Sequence, residues 1–179
     1  MDLPEGKFGA VLMDCPWPFR TYSKKDVVPS RRAVQPYATM SLIEIGNLPV
    51  NGLMADNAAL FLWQSDSLPG AAAYLAGRWG LRIVTDNVFI WVKPSIGMGY
   101  WTRKEAETVA LLTKGKPQRR SKGVRQVIYA KRREHSRKPD EIYRRIEALV
   151  AGEYLEMFAR QQWPGWASWG DDTEAFLEH

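Results

Sequence analysis

The chain has 179 residues, of which 45% are apolar, 25% charged and 12% aromatic; that is enough apolar content for a single folded domain over 1–179 and too much for a disordered chain. Its single cysteine, Cys15, has no partner within the chain, which excludes a disulfide-stapled mini-protein, and no apolar run approaches the roughly 18 residues of a membrane span. The net charge of +5 is unevenly spread: eleven basic residues and one acid lie between Lys114 and Lys138, a net +10, against 14 basic and 19 acidic side chains, −5, elsewhere.

The opening Met1-Asp2-Leu3-Pro4-Glu5 lacks the basic patch and apolar stretch of a signal peptide, so a reducing, cytoplasmic setting is expected. Phe8 to Met13 is an uninterrupted apolar run, the pattern of a buried strand, and it stops at Asp14. Residues 14–38 carry Pro16, Pro18, Pro29 and Pro36 among polar groups and read as a long loop, a feature that is usually functional in a compact domain. Ser41, with Glu44 three residues on, has the spacing of a capping box and predicts a short helix over Leu42–Leu48. Ala58–Trp63 is a second apolar strand. Leu68, Ala72, Leu75 and Trp79 then recur at helical spacing, with Gly80 as the stop.

Leu81 to Trp91 is β-branched and aromatic, broken by Asp86-Asn87, and predicts one or two strands. Glu107–Thr113 and Arg125–Ala130 predict further strands on either side of the basic stretch. Pro139-Asp140-Glu141 reads as a helix start, with proline at the first position and acids facing the positive end of the dipole. Ile142, Ile146 and Leu149 form that helix's apolar face, Gly152 ends it, and Tyr154–Phe158 is the last strand. Alternation of this kind predicts an α/β fold, a mainly parallel sheet flanked by helices, with ligands at the carboxyl ends of the strands, where Asp14, Trp63 and Arg160 fall.

The basic segment has the charge a polyanion needs, since neutralising phosphates releases counterions. Gly115, Pro117 and Gly123 break any amphipathic membrane-binding helix there. Arg119, Arg120, Lys122, Arg125, Arg132 and Arg133 are therefore the candidate nucleic-acid contacts. With two histidines and one cysteine, no metal site is visible.

The sharpest local feature is Asp14-Cys15-Pro16-Trp17 directly after a buried strand. The adenine amino nitrogen is a poor nucleophile because its lone pair is delocalised into the ring. A site helps by accepting hydrogen bonds from both amino hydrogens, and the Asp14 carboxylate with the Cys15 carbonyl offers two such acceptors. Trp17 offers an aromatic face for an unstacked base. The same tetrapeptide also fits a plain strand-to-loop turn, and Glu156, inside an apolar strand, needs a partner such as a structural ion pair.

Strand followed by Asp-Pro-Pro-Trp is the signature of the adenine-N6 methyltransferases related to the catalytic subunit of the eukaryotic mRNA methyltransferase (the MT-A family of seventy kilodaltons). This chain resembles the bacterial and phage branch almost end to end. The likeness runs through Pro16-Trp17-Pro18-Phe19-Arg20-Thr21-Tyr22, Leu60-Phe61-Leu62-Trp63, Trp91-Val92-Lys93, Gly99-Tyr100-Trp101-Thr102-Arg103, His135-Ser136-Arg137-Lys138-Pro139-Asp140-Glu141, Leu155-Glu156-Met157-Phe158-Ala159-Arg160, Pro164-Gly165-Trp166 and Trp169-Gly170-Asp171. The resemblance implies a Rossmann-like methyltransferase domain with permuted motif order and S-adenosyl-L-methionine as methyl donor. It places Asp14, Cys15, Pro16 and Trp17 in the catalytic loop. It puts Asp14 near the methionine end of the cofactor with Lys138 beside it, Glu156 and Arg160 near the ribose, and Asp171 and Asp172 at the cofactor's adenine. Two positions depart from the family: Cys15 stands where proline is usual, and Lys104-Glu105-Ala106-Glu107 replaces a segment that often holds an asparagine or lysine.

The expected activity is methyl transfer to adenine N6 in DNA. RNA is the alternative polymer, and a catalytically weak, methyltransferase-like nucleic-acid-binding subunit is the non-enzyme alternative. Cysteine-based cytosine-C5 chemistry fits the flanking pattern poorly. Relatives often dimerise, so a homo- or hetero-dimer is open; Trp163, Trp166 and Trp169 read first as packing of the C-terminal tail.

Overall fold

A computed structural model describes residues 2–18, 38–97, 101–134, 137–170 and 173. Most of the long loop expected over 14–38 lies outside them. So do Phe19–Tyr22, Pro29, Pro36, Gly99-Tyr100, His135-Ser136, Asp171, Asp172 and His179.

Seven strands and four helices follow in the order β1 (Phe8–Met13), α1 (Leu42–Gly46), α2 (Val50–Leu53), β2 (Met54–Trp63), α3 (Ala71–Trp79), β3 (Arg82–Gly97), β4 (Lys104–Lys114), β5 (Val127–Tyr129), α4 (Glu141–Leu149), β6 (Tyr154–Met157) and β7 (Trp166–Trp169). They form one sheet in the order β5-β3-β4-β2-β1-β6-β7. The β1–β2, β1–β6, β6–β7 and β3–β5 pairs are parallel, whereas β4 is antiparallel to both β2 and β3. Six strands therefore share one direction, as an α/β reading with a mainly parallel sheet predicts, and β4 alone runs back.

β1 is buried at all six positions because both faces of the sheet are covered. Val11 and Met13 join a cluster with Leu60, Leu62, Leu75 and Ile45 under α1–α3. Ala10 and Leu12 join Phe61, Trp63, Ile142, Tyr143 and Trp166 under α4. Alternation along one apolar strand thus builds two cores. Gly9 is tied to the crossing of β1 with the α4–β6 turn: a Cβ there would stand 2.7 Å from the Ala151 carbonyl.

The capping box at Ser41 and Glu44 is present in both directions. Gly80 ends α3 in the left-handed conformation, φ 65°. Asp86-Asn87 does not split Leu81–Trp91: β3 is one strand whose pairing with β4 slips between Thr85 and Phe89, a bulge that absorbs the polar pair. The α4 start differs from expectation by two positions: Glu141, not Pro139, is the first helical residue. Asp140 is the N-cap, and its side chain makes no capping bond because Arg133 holds it in a two-pronged pair (2.9 and 2.5 Å). Trp166–Trp169 is a strand rather than only tail packing. Its tryptophans do pack inward: Trp166 stacks on Tyr154 with ring centres 4.9 Å apart and meets Tyr143 edge-on at 5.2 Å. Among the described residues no helix is long and apolar enough to cross a membrane.

Candidate active site

Asp14 follows β1 at the carboxyl edge of the parallel strands, where the chain leaves the sheet. The next three residues form a tight turn: the Trp17 amide donates to the Cys15 carbonyl (2.8 Å), and the Met40 amide donates to the Pro16 carbonyl (2.9 Å). The Cys15 oxygen keeps its second lone pair for another donor. The Cys15 side chain is buried in the core beside Met13 and Met157, and burial first, then the charge of Asp14, pushes its thiol well above the ordinary range. A packed thiol of that kind is no nucleophile, which removes the cysteine-based reading on physical grounds. Trp17 is half-buried against the same core, with its indole N–H buried and without a partner among the described residues.

Lys138 organises the floor of the site. Its Nζ lies 2.9 Å from Asp14 Oδ2 and 3.2 Å from Glu107 Oε2, and it sits 5.1 Å above the ring of the buried Trp63. Glu107 Oε1 accepts a 2.6 Å bond from Lys93, whose ammonium lies 4.9 Å from the Trp91 ring. Two tryptophans edge-to-face at 6.2 Å thus support a chain of alternating charges: Asp14, Lys138, Glu107, Lys93. Burial opposes charge on Glu107, but Lys138 and the Lys93 bond outweigh it and hold the carboxyl down at about 2. Burial likewise opposes charge on Lys138, and Asp14 and Glu107 together push its pKa up. For Asp14 the balance is reversed: burial raises its carboxyl by more than Lys138 lowers it.

A second polar group adjoins the first. Glu156, on β6, is 7% exposed. It accepts a 2.9 Å bond from the Tyr143 hydroxyl of α4, which in turn accepts one from Gln161 at 2.9 Å. Burial pushes the Glu156 carboxyl up to about 8, against the Tyr143 bond and with help from Asp14. Phe158, just past β6, takes φ 62°, a conformation non-glycine residues seldom adopt and one that collects at functional turns. Asp14, Lys138, Tyr143, Glu156, Phe158, Arg160 and Gln161 line one cleft of about 20 Å³.

The expected cofactor residues Asp14, Lys138, Glu156 and Arg160 are therefore brought together; Asp171 and Asp172 lie outside the described residues. The basic segment spans both ends of the sheet. β4 runs away from the site, and Lys114 lies seven residues beyond Glu107, about 23 Å along the strand. The Arg120 amide donates to the Leu149 carbonyl and its guanidinium to Glu147 O, while Arg119 bridges to Val150, all near the far end of α4. Arg119, Arg120 and Lys122 thus sit at the edge of the sheet opposite Asp14, and Arg125 opens the climb back along β5. Arg132 lies by Gly97 at the site end. Arg133 is engaged, gripping Asp140 and the Lys138 carbonyl (2.8 Å), so it fixes the turn that presents Lys138.

Sequence reasoning left Glu107, Lys93, Tyr143 and Gln161 without roles. Lys93 had a visible signal: a lysine two residues from Trp91 in an apolar strand shares the tryptophan's face. Glu107 sat in the segment singled out as departing from the family. Lys104, in that same segment, pairs with Asp66 at 2.7 Å.

A family model described as MT-A70 matches residues 8–172. The chain belongs to the MT-A70 family. Among relatives, the type II methyltransferase M.MunI of a Mycoplasma species is 29% identical over 185 residues, 94% of this chain and 78% of that protein. The human N(6)-adenosine-methyltransferase catalytic subunit METTL3 is 30% identical over 183 residues, 94% of this chain but 29% of that protein. The Arabidopsis thaliana N(6)-adenosine-methyltransferase MT-A70-like protein is 30% identical over 177 residues and is covered over 24% of its length. MT-A70 methyltransferases use S-adenosylmethionine as methyl donor. The donor set fits that group. Glu156 Oε1 accepts no bond among the described residues and suits a ribose diol, and Asp14 suits a cation. The third proton of Lys138 suits a carboxylate.

Proposed function

We propose that this MT-A70 chain transfers a methyl group from S-adenosylmethionine to the N6 atom of adenine in DNA. The observation that carries the reading is the pairing of two acceptors, the Asp14 carboxylate and the free lone pair of the Cys15 carbonyl, at a strand end beside the cleft of Lys138, Glu156 and Arg160. The cofactor, when bound, supplies an electrophilic methyl group. The chain's own residues do the rest. Asp14 and the Cys15 carbonyl accept one amino hydrogen each, which localises the nitrogen lone pair and orients it. Trp17 supports the base plane. Methylation obliges the nitrogen to lose a proton, and Asp14, already bonded to it and with a carboxyl above the ordinary range, takes it. Lys138, fixed by Glu107, holds Asp14 in place through this cycle. A target inside a duplex must be flipped out of the stack first.

The choice of DNA rests on the likeness to the bacterial branch and on the extent of the match to a type II methyltransferase, 78% of that protein's length. Incubation of the purified protein with labelled cofactor and matched DNA and RNA pools, followed by mass spectrometry of the nucleosides, tests it. The expected product is N6-methyladenine in the DNA pool. Product confined to RNA would overturn the polymer, and absence of both cofactor binding and product would favour a nucleic-acid-binding subunit.

A further inference from the structure

The free edge of the sheet bears a line of cations that the chemistry of the site does not use. β5 is the edge strand, and the carbonyls of Val127 at its start and of Arg125 just before it are capped by the guanidinium of Arg145 rather than by another strand. Arg125, Lys131 and Arg132 flank this edge, and Lys116, Arg119 and Lys122 belong to the loop that runs under the far end of the sheet, Lys116 against Asn57 of β2 and Arg119 against Val150; all six are exposed. None of the six is paired with a carboxylate among the described residues, although the nearby acids Glu141, Glu147, Asp140 and Glu134 are each engaged, by Arg145, two indoles, Arg133 and Arg137. At the site end of β5, Tyr129 is 81% exposed and offers a stacking face.

The line has a fixed start and finish. Lys131 and Arg132 follow β5 at the edge of the sheet that carries Asp14, and Arg133 ties this stretch to Lys138. Lys116, Arg119 and Lys122 lie at the opposite edge, in a loop held to the far end of α4 by the Arg119–Val150 bridge and the Arg120 amide. The ten steps of β4 set the separation at about 33 Å, roughly ten nucleotide steps at 3.4 Å each along one strand.

We infer that the β5 edge is a track for the phosphate backbone of the substrate nucleic acid, leading from the base held at Asp14 to the 116–125 loop. This rests on the reading of the chain as a nucleic-acid methyltransferase, and it adds the direction and reach of the polymer. The track leaves the site on one side only, so it rewards flanking sequence on one side of the target adenine.

The test is fluorescence anisotropy on DNA and RNA probes carrying the target adenine with flanks of 4 or 16 nucleotides on either side. It compares wild type with the triple variant Arg119→Gln, Lys122→Gln, Arg125→Gln, whose melting temperature serves as a folding control. Wild type should gain roughly tenfold in affinity from a long flank on one side, with a salt slope near −5 for six contacts on a duplex, falling to about −3 in the triple variant. The variant should match wild type on the short probe and lose the long-flank gain. A gain seen on RNA alone would keep the track and overturn only the choice of DNA. Equal affinity for all flank lengths in wild type, or an equal loss on short and long probes in the variant, would overturn the track. So would a polyglutamate peptide that binds wild type, fails on the variant, and leaves the flank dependence unaffected, since the loop would then belong to an acidic protein partner.

Discussion

Glu156→Gln tests the electrostatics of the cleft with the least disturbance of shape, because the amide oxygen still accepts the Tyr143 hydroxyl. In the free protein the Glu156 carboxyl stands at about 8 against an ordinary 4.5. A raised carboxyl pKa means that the folded chain keeps a proton the unfolded chain has released. The Glu156 contribution to folding stability is therefore undiminished below pH 4.5, falls as pH rises from 4.5 to about 8, and is level again above. At 1.36 kcal/mol per pK unit, the 3.5-unit gap corresponds to roughly 5 kcal/mol across that window, an upper figure for a site that relaxes or admits water. Glu156→Gln has no proton to lose and should escape the penalty. Urea denaturation of both proteins at pH 5, 6.5 and 8 isolates it, since every other titrating group is common to the pair. The variant should gain on wild type progressively, by several kcal/mol at pH 8. Parallel stabilities at all three pH values would refute the claim that this carboxyl is held protonated. A diol donating to Glu156 favours the charged form, so cofactor affinity of wild type should rise with pH through the same window, and the variant should bind weakly and without that slope.

Three other outcomes follow from the same geometry. Glu107→Gln removes the charge that Lys138 and the 5%-exposed Lys93 share, so it should cost about 3 kcal/mol in urea melts and slow methyl transfer without weakening nucleic-acid binding. The double change Lys93→Met, Glu107→Leu should restore stability and leave the reaction slow; a fast double variant would deny Glu107 its positioning role. Since Glu107 titrates at about 2, its contribution is fully present above pH 4.5 and is lost as pH falls towards 2, a loss the Gln variant should not show. Gly115→Ala forces a Cβ to 2.1 Å from the Asp56 carbonyl at φ 58° and should destabilise the turn after β4 by about 2 kcal/mol or more, whereas Gly77→Ala, with open space around it and an ordinary helical position, should stabilise by up to about 1 kcal/mol.

The sequence was most legible where one residue settles a local choice. Ser41 and Glu44 announced a capped helix, Gly80 its neighbour's end, and the run Phe8–Met13 a central strand, each through contacts a few residues long. It was least legible where the decision belongs to the sheet. Nothing in Glu107–Thr113 shows that it pairs backwards between two parallel neighbours, and that reversal carries the basic residues after it to the edge opposite Asp14. A linear count of charge could not show that spread for this reason. α2 and β7 escaped because four residues carry too little periodicity, and Trp166-Ala167-Ser168-Trp169 follows a Pro-Gly pair that reads as a turn. In the site, Asp14, Lys138 and Glu156 were marked by family likeness, whereas Glu107 and Tyr143 become functional only through neighbours on other elements.

The central claim is that Asp14 grips the amino group to be methylated. Asp14→Asn keeps the size of the side chain and replaces one charged acceptor with an amide. Single-turnover methyl transfer and nucleic-acid affinity should be measured side by side on the same probe. The account predicts a rate loss of about 10²–10³-fold, the scale for losing one preorganised polar contact to a reacting group, with affinity within about twofold of wild type. An Asn variant that methylates at the wild-type rate would contradict it.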